Sequence, residues 1–197
     1  MRSRRPKVLH ELCGRPLLGH VLEAVREAGL IDPRVVVIGP DHDEVREAFS
    51  GRGLRFAVQD PPEGTADAVR AAEDALRHPP PQVLVLCGDA PLVRPRTVKA
   101  LLARHRDAEA ACTVLVAELD DPSGYGRIVS DDRGRVRRIV EELDATPEEQ
   151  SIRRVNAGAY CFRGEVLFEE LPRLEKNAQK GEYYLTDIVE RLYDRGL

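Results

Sequence analysis

The spacing of apolar residues predicts alternating helices and strands in the first half of the chain. Residues 16–28 carry apolar side chains at helical spacing, with Pro16 suited to the first turn and Gly29 to the end of the helix. The further predicted elements are strand Val35–Ile38, a helix from Asp41 or Asp43 to Phe49, strand Arg55–Val58, helix Thr65–Leu76, strand Val83–Cys87 and helix Thr97–Arg106. Because Val83–Cys87 is continuously apolar, as in a parallel strand covered on both faces, this half predicts α/β organisation.

The second half of the chain changes to strand-like runs separated by Gly and Asp turns, which predicts a mixed or antiparallel portion. These runs are Cys112–Val116, Arg127–Val129, Arg135–Val140 and Val155–Phe162. Helices over Val166–Leu171 and Leu185–Tyr193 are predicted to follow. A doubly wound domain usually opens with a strand, whereas the first legible element here is a helix after a short basic loop.

Composition narrows the class of protein. A chain of 197 residues with 42% hydrophobic and 32% charged residues has the size of a single folded domain. The net charge of −4 argues against nucleic-acid binding by charge alone, and no apolar run approaches the ~20 residues of a membrane span. The basic start, with Arg2, Arg4 and Arg5, lacks the apolar stretch of a secretory signal, so we expect a cytoplasmic location. The four cysteines and five histidines show no metal-binding spacing.

Asp89 is the leading candidate for chemistry. Ligands of open α/β sheets bind beyond the carboxyl ends of the strands, and Asp89 follows a predicted strand and Gly88, which permits close backbone approach. A carboxylate there suits a hard cation such as Mg²⁺ together with substrate phosphates. The alternative interpretation is an ordinary turn or helix-capping aspartate.

Other candidates also have ordinary interpretations. Gly64 and Thr65 begin a predicted helix, where free backbone N–H groups favour a polar or anionic ligand, although Thr65 also suits a simple N-cap. Gln59 carries a donor and an acceptor that suit a uracil edge, and Lys7 is a cation suited to phosphate charge. On their own these are also a typical loop glutamine and a surface lysine. Further candidates, which are common in turns and caps, are the segment Gly124–Gly126, Glu141 and Asn156.

Eight ordered blocks of this sequence together resemble one family. They are Pro6–Leu9, Gln59, Glu63–Thr65, Leu86–Leu92, Asp121–Ile128, Ile139–Glu142, Val155–Gly158 and Gly181–Asp187. The chain is similar over essentially its whole length to the pyrophosphorylase domain of bacterial bifunctional N-acetylglucosamine-1-phosphate uridylyltransferases, which are also glucosamine-1-phosphate N-acetyltransferases. The resemblance implies a Rossmann-like nucleotidyltransferase fold with a mixed sheet. It also implies synthesis of UDP-N-acetylglucosamine, a cell-wall precursor, and pyrophosphate from UTP and N-acetylglucosamine 1-phosphate, with Mg²⁺.

The resemblance also implies roles for individual residues. Lys7 is implied as a catalytic phosphate contact and Asp89 as the catalytic Mg²⁺ ligand, while Gln59 and Gly64 are implied to read uracil. The other implied substrate-binding residues are Thr65 in the nucleotide turn, Cys87 and Gly88 beside Asp89, and, on the sugar and ribose side, Gly126, Glu141, Asn156, Tyr184 and Thr186. The sugar phosphate would attack the α-phosphorus of UTP in line, with no covalent nucleophile.

The chain also departs from the family pattern. The family's first strand and glycine-rich loop would precede Pro6, with Met1 on the last residue of that loop, and a second metal-binding asparagine and the acetyltransferase β-helix domain would follow Leu197. Cys87 and Leu143 stand where tyrosine and lysine are frequent. We therefore expect one nucleotidyltransferase domain over residues 1–197, incomplete at both ends, without acetyl transfer, poorly stable and weakly active alone.

Two alternatives remain open from the sequence. One is a related sugar-phosphate nucleotidyltransferase that uses another base. The other is a non-catalytic remnant that binds a sugar nucleotide. The trimer implied for full-length members is assembled through the β-helix domain, so no oligomeric state is assigned.

Overall fold

The computed structural model describes residues 5–30, 34–76 and 78–197, so that Met1, Arg2 and Arg4 lie outside the described residues. The helices are α1 Leu17–Glu27, α2 Asp43–Ala48, α3 Thr65–Ala71, α4 Glu73–Leu76, α5 Pro95–Asp107, α6 Pro147–Gln150, α7 Gly164–Glu170 and α8 Asp187–Asp194. The strands are β1 Glu11–Leu12, β2 Arg15–Pro16, β3 Val35–Ile38, β4 Arg55–Val58, β5 Gln82–Leu86, β6 Cys112–Glu118, β7 Arg127–Ser130, β8 Val136–Val140 and β9 Arg154–Arg163. Short 3₁₀ turns cover Lys7–Leu9 and Leu171–Arg173.

The main strands form two separate sheets in the described part of the chain. Strands β3 and β4 pair in parallel, whereas β5, β9, β7 and β8 follow one another in a sheet to which β6 is added on β9. All pairings in this larger sheet are antiparallel. The predicted mixed architecture with an antiparallel second half is therefore confirmed.

The main correction to the predicted fold concerns β5, for which the sequence predicts parallel neighbours. Strand β5 pairs antiparallel with β9, its only strand partner among the described residues, and most of its residues are half-buried rather than buried. Strand β9 is ten residues long and returns from the far end of the chain to lie between β5 and β6. An apolar run alone does not distinguish this arrangement from a parallel strand.

Most predicted elements are present, and the differences are local. The predicted helix Thr65–Leu76 is interrupted at Ala72 and forms α3 and α4. Before α1 the chain forms the 3₁₀ turn Lys7–Leu9 and a short hairpin of β1 and β2, so that α1 is not the first element. Pro16 precedes α1 rather than lying in its first turn. Neither predicted aspartate caps α2, whose N-cap is His42. None of the helices among the described residues is long and apolar enough to cross a bilayer.

Three apolar clusters place the elements around the site. The largest joins the larger sheet to α3, α7 and α8, and contains Phe162, Leu167 and Ile188, which are fully buried. A second cluster joins α1 and α2 to β3 and β4, and a third packs α5 against β5, β6 and β9. The loops that follow β4, β5 and β8 carry half of the twelve candidate residues.

Candidate active site

Lys7 and Asp89, the two predicted catalytic residues, form an ion pair. The Lys7 Nζ atom lies 2.5 Å from Asp89 Oδ2, and both side chains reach solvent. The hydrogen bond to Asp89 and its negative charge raise the pKa of Lys7, so the amine stays protonated. The pair brings the loop after β5 and the 3₁₀ turn near the N-terminus to one point, where a cation and a carboxylate both face water.

Asp89 is a single carboxylate rather than part of a ligand cluster. Among the described residues, no group of three or more His, Cys, Asp or Glu side chains is arranged to hold a metal ion. Mg²⁺ in phosphoryl-transfer sites is held by one or two carboxylates, with substrate phosphates and water completing its shell. Asp89 therefore fits Mg²⁺ as a partner of a bound phosphate, and not as part of a closed protein cage.

Gly88 and Cys87 make close contacts of a different kind from those predicted. A Cβ atom on Gly88 would lie 3.3 Å from Val8 and 3.4 Å from Leu18. The absence of a side chain at Gly88 therefore lets the N-terminal segment pack closely against this loop. The Cys87 thiol donates a hydrogen bond to the Gly158 carbonyl oxygen over 3.4 Å. Burial, followed by the charge of Asp89, raises the pKa of Cys87, so the thiol stays protonated.

A cavity of about 280 Å³ opens beside Cys87 and Gly158. Its remaining lining is mostly apolar and comes from Leu86, Ala90, Leu92, Val93, Thr97, Leu115, Ala157 and Ala159. This volume lies near the lower end of the ~300–1,000 Å³ typical of ligand sites. The cavity suits a small uncharged group and not a triphosphate, because it carries no cationic lining.

Gln59 lies after β4 and is fixed by two hydrogen bonds. Its side-chain Nε2 donates to the Gly64 carbonyl oxygen at 2.9 Å and to Asp67 Oδ2 at 2.8 Å. Both N–H bonds of the amide are thereby used, which leaves the Oε1 atom as its acceptor for a ligand. The structure thus joins Gln59 to Gly64, as the predicted nucleotide site requires.

Gly64 and Thr65 form a turn whose details differ from the prediction. Gly64 is the N-cap of α3 with φ +109°, and the Thr65 hydroxyl accepts a hydrogen bond from the Leu185 N–H at 3.0 Å instead of capping the helix. The Ala66 N–H donates to the Tyr183 carbonyl oxygen, so the helix start is not a row of free donors. The simple N-cap by Thr65 is therefore wrong, because a distant segment uses its hydroxyl, while the role of this turn in ligand binding remains a prediction.

Gly126, Glu141 and Thr186 meet at the start of β7 and the end of β8. A Cβ atom on Gly126 would lie 3.5 Å from both carboxylate oxygens of Glu141, an ordinary contact, and 3.1 Å from the Ile139 Cγ2 atom, which is tight; Gly126 therefore lies directly against the Glu141 carboxylate. The buried Thr186 hydroxyl donates to Glu141 Oε1 at 3.1 Å. Glu141 is thereby held at one oxygen, while its other oxygen remains an acceptor.

Asn156 and Tyr184 flank this carboxylate. The Asn156 N–H donates to the Gly126 carbonyl oxygen, and its side chain bonds both the Tyr160 hydroxyl at 2.5 Å and the Gly158 N–H at 3.0 Å. Tyr184 is 7% exposed, and burial together with nearby carboxylates, including Glu141, raises its pKa. The side-chain amide of Asn156 keeps one Nδ2–H donor and one lone pair on Oδ1 that a ligand can use.

All twelve predicted site residues lie along one continuous run of contacts. The run passes from Lys7 and Asp89 through the chain neighbours Gly88 and Cys87 to Gly158 and Asn156, and then to Gly126, Glu141 and Thr186. Tyr184 lies beside them, and the N–H of the neighbouring Leu185 leads to Thr65, Gly64 and Gln59. No predicted position is isolated from the others. The structure establishes this arrangement, while the role of each residue remains a prediction.

The sequence gives no sign that Asp187, the first residue of α8, belongs to the site. Burial, then the charges of Glu141, Glu190 and Asp144, raises the pKa of Asp187 to about 6. In sequence it looks like a typical acidic residue in the first turn of a helix. Only the arrival of α8 beside β8 shows that this carboxyl shares the environment of Glu141.

Comparison with known proteins gives one family over the whole chain. The model of the nucleotidyl transferase family matches residues 1–197. The chain is 50% identical over 190 residues to the bifunctional protein GlmU of Trichlorobacter lovleyi, covering 96% of the chain and 41% of that protein. It is 44% identical to the GlmU protein of Halalkalibacterium halodurans, covering 100% of the chain and 43% of that protein. The chain thus spans about two fifths of the length of these relatives.

Solved structures share the same fold. An apo UDP-glucose pyrophosphorylase superposes with a TM-score of 0.76 at 18% identity, over 96% of this chain and 80% of that one. A glucose-1-phosphate thymidylyltransferase from Bacillus anthracis, described as putative, superposes with a TM-score of 0.77 at 21% identity, over 98% of this chain and 76% of that one. At these identities the likeness shows a common fold.

Proposed function

We propose that this chain, which belongs to the nucleotidyl transferase family, is a uridylyltransferase. It forms UDP-N-acetylglucosamine and pyrophosphate from UTP and N-acetylglucosamine 1-phosphate, in the cytoplasm, for cell-wall synthesis. The observation that carries the proposal is the continuous run of contacts from the Lys7–Asp89 pair to the Gln59–Gly64 turn. The GlmU relatives at 44–50% identity support an activity of the sugar-phosphate uridylyltransferase class.

The Gln59–Gly64 turn suits a uracil base. Because both Gln59 N–H bonds are used within the protein, its Oε1 atom requires a donor from the ligand. Uracil presents its N3–H donor at the middle of the pairing edge, whereas cytosine and adenine present a bare ring nitrogen there. A base without that donor would leave the Gln59 oxygen without a hydrogen bond, which typically costs about 1–3 kcal/mol in a buried site.

The Lys7–Asp89 pair suits the phosphates. Mg²⁺ bound between Asp89 and the nucleotide would neutralise phosphate charge and align the reacting groups. Lys7, protonated and 2.5 Å from Asp89, lies where it can donate to a phosphate oxygen on the same side. Because the Lys7 amine occupies Asp89 Oδ2 when no ligand is bound, binding of Mg²⁺ would use the other oxygen of Asp89 or release Lys7 to the phosphate.

The Gly126–Glu141–Asn156 group suits the sugar and the ribose. Glu141 and Asn156 keep acceptor positions, and Asn156 also keeps a donor, which together match vicinal hydroxyl groups. The mostly apolar cavity beside Cys87 and Gly158 gives room for the methyl of an N-acetyl group. Positioning by these groups would bring the sugar phosphate oxygen into line with the α-phosphorus.

The reaction needs no covalent nucleophile. The sugar phosphate oxygen forms the new bond to the α-phosphorus of UTP, and the bond to the β-phosphate oxygen breaks to release pyrophosphate. Cys87 is the thiol next to the candidate site, and its raised pKa keeps it protonated. Catalysis would come from alignment and charge neutralisation.

The test is pyrophosphate release by the purified chain with Mg²⁺. We expect release only when UTP and N-acetylglucosamine 1-phosphate are both present, and at least tenfold less with ATP, CTP or glucose 1-phosphate. Asp89→Ala should reduce release at least ~100-fold, whereas Asp43→Ala, which removes an exposed ion pair with Arg46, should not. A preference for another base would contradict the proposal.

A further inference from the structure

One segment fastens the two halves of the candidate site together. We call residues 176–186, which precede α8, the strap, and residues 63–66 the nucleotide turn. The strap contacts the nucleotide turn near Tyr183 and the sugar side near Glu141 and Asp144. Tyr183 is not among the predicted site residues, and their predicted roles do not explain its contacts.

The backbone of Tyr183 fixes the shape of the nucleotide turn. The Tyr183 N–H donates to the Glu63 carbonyl oxygen at 2.7 Å, and the Ala66 N–H donates to the Tyr183 carbonyl oxygen at 3.0 Å. A Cβ atom on Gly64 would lie 2.6 Å from that same Tyr183 oxygen. The turn that carries the expected base contact is therefore held by a residue more than a hundred positions away.

The ring of Tyr183 holds its backbone in this position. The Arg70 guanidinium lies 4.8 Å from the ring centre and the Lys176 amine 5.3 Å from it. Lys176 also pairs with Glu63 Oε1 at 2.5 Å, which fastens the beginning of the strap to the turn. These contacts use the face of the ring, since cations are attracted to the electron-rich face of an aromatic ring.

The rest of the strap is fastened to the sugar side. Thr186 donates to Glu141 Oε1 at 3.1 Å. The Asn177 and Gln179 side-chain amides donate to the two carboxylate oxygens of Asp144 at 3.0 and 2.8 Å. A ligand that orders Glu141 therefore acts on the same segment that holds the nucleotide turn.

We propose that Tyr183 is a positioning residue that shapes the nucleotide turn and, through the strap, couples nucleotide binding to sugar-phosphate binding. This inference rests on the proposed function. Because either ligand restricts the strap, the second ligand loses less conformational entropy when it binds, which gives positive coupling. Coupling between linked sites is typically about 5–150-fold in affinity, and we expect about tenfold here.

Isothermal titration calorimetry on the full chain measures this coupling. The probe is α,β-methylene-UTP with Mg²⁺, which cannot release pyrophosphate, titrated with and without saturating N-acetylglucosamine 1-phosphate. The wild-type chain should bind the probe about tenfold more tightly when the sugar phosphate is present. Tyr183→Ala should reduce this ratio to below about twofold, and Tyr183→Phe should retain it because the contacts use the ring face.

Two further variants separate coupling from general damage. Tyr193→Ala removes a ring that packs under Arg135 outside the strap, and the ratio should stay near the wild-type value. Asp144→Ala changes an exposed residue that anchors the strap on the sugar side, so the ratio should fall although the chain remains folded. A ratio near the wild-type value in both Tyr183→Ala and Asp144→Ala would overturn the coupling.

Amide hydrogen exchange without ligands tests the positioning role by itself. The Ala66 and Leu185 amides donate to Tyr183 and Thr65, and they should exchange at least tenfold faster in Tyr183→Ala but not in Tyr183→Phe or Asp144→Ala. Unchanged exchange would overturn the inference while leaving the proposed function intact. If the wild-type chain binds neither ligand, the proposed function and the coupling both fail, and exchange still decides whether Tyr183 holds the turn.

Discussion

Gly64 combines a backbone constraint with a steric one. Its φ is +109°, and the position of a Cβ atom is already filled by the Tyr183 backbone. Several other glycines have positive φ angles with open space around them, Gly134 among them at +77°. Gly134 therefore shows the energetic effect of a positive φ without a close contact, whereas Gly64 adds both its extended ψ of −178° and the contact with Tyr183.

Gly64→Ala should destabilise the chain more than Gly134→Ala does. The positive φ disfavours alanine by about 1–2 kcal/mol at Gly134, and by about 1–3 kcal/mol at Gly64, whose ψ of −178° belongs to a region reached almost only by glycine. The contact with Tyr183 should add about 1–3 kcal/mol at Gly64 only, and binding of UTP should weaken at least tenfold. Urea unfolding and calorimetry measure both effects. Equal losses of stability in the two variants would contradict the contact.

Asp187 makes stability depend on pH. Its pKa is raised to about 6 in the folded chain, against an ordinary value of 3.8. The folded state therefore binds the proton more tightly than the unfolded state, and this contribution to stability is lost as pH rises from about 4 to 6. Asp187→Asn should gain stability relative to wild type over that interval, with a constant difference above it.

Urea unfolding of Asp187→Asn and wild type at pH 4, 5, 6 and 7.5 measures this difference. Asp194→Asn, which changes an exposed residue of the same helix, is the matched control and should show no such trend. A difference between Asp187→Asn and wild type that does not change with pH would show that Asp187 titrates normally.

At the residue scale, the sequence predicts which positions belong to the site better than how they are held. Gln59, Gly64 and Asp89 follow strands, and their order matches a family pattern, so local sequence suffices to select them. The partner of Thr65, which is Leu185, lies 120 residues further along the chain. A simple N-cap is the local expectation, and only tertiary contact replaces it.

At the element scale, Glu170 joins α7 to α8. It is 0% exposed and accepts hydrogen bonds from Arg191 Nε at 2.7 Å and Arg173 at 2.9 Å, and from Arg195. Burial alone would raise the pKa of Glu170, but the hydrogen bonds from Arg191 and Arg195 outweigh it and lower the pKa. The carboxylate is therefore charged at neutral pH and holds two helices at a fixed spacing.

Glu170→Gln should destabilise the chain by about 3 kcal/mol at pH 7, the lower end of the range for breaking a buried pair, because the arginines are partly exposed. A lowered pKa means that the stabilisation is present above the ordinary value of 4.5 and is lost as pH falls below it. Urea unfolding at pH 7 and pH 3.5 should show the difference shrink at the lower pH. Glu165→Gln, at an exposed position of α7, should be neutral.

The periodicity of the sequence predicts α1, α5 and α8 well because each has a clear apolar face directed at a cluster. It does not predict the hairpin of β1 and β2, since each of these strands has only two residues and is too short to show a periodic pattern. The break at Ala72 also escapes prediction, because residues 65–76 are rich in alanine and contain no glycine or proline.

At the scale of the whole molecule, the two sheets differ in how their strands are protected. Strand β9 has partners on both edges, whereas β3 pairs only with β4 among the described residues. Leu18 of α1 packs with Ile38 of β3 in one cluster and lies beside Gly88 after β5. Helix α1 therefore connects the two sheets, and this arrangement could not be predicted from local pattern.

Hydrogen exchange should reflect this difference between the sheets. We expect the amides of β9 to exchange slowest in the molecule and those of β3 at least tenfold faster, because local opening of β3 breaks fewer contacts. Exchange followed by mass spectrometry of peptides covering the two strands makes the comparison within one sample. Similar protection in β3 and β9 would contradict the separation into two sheets.

The most direct test of the proposed activity is the reverse reaction, measured as transfer of labelled pyrophosphate into UTP. With UDP-N-acetylglucosamine and Mg²⁺, we predict labelled UTP from the wild-type chain, at least ~100-fold less from Asp89→Ala, and no labelled ATP when ADP-glucose replaces the substrate. Absence of labelled UTP, in a folded chain that binds UDP-N-acetylglucosamine by calorimetry, would contradict the enzyme and identify a binding module.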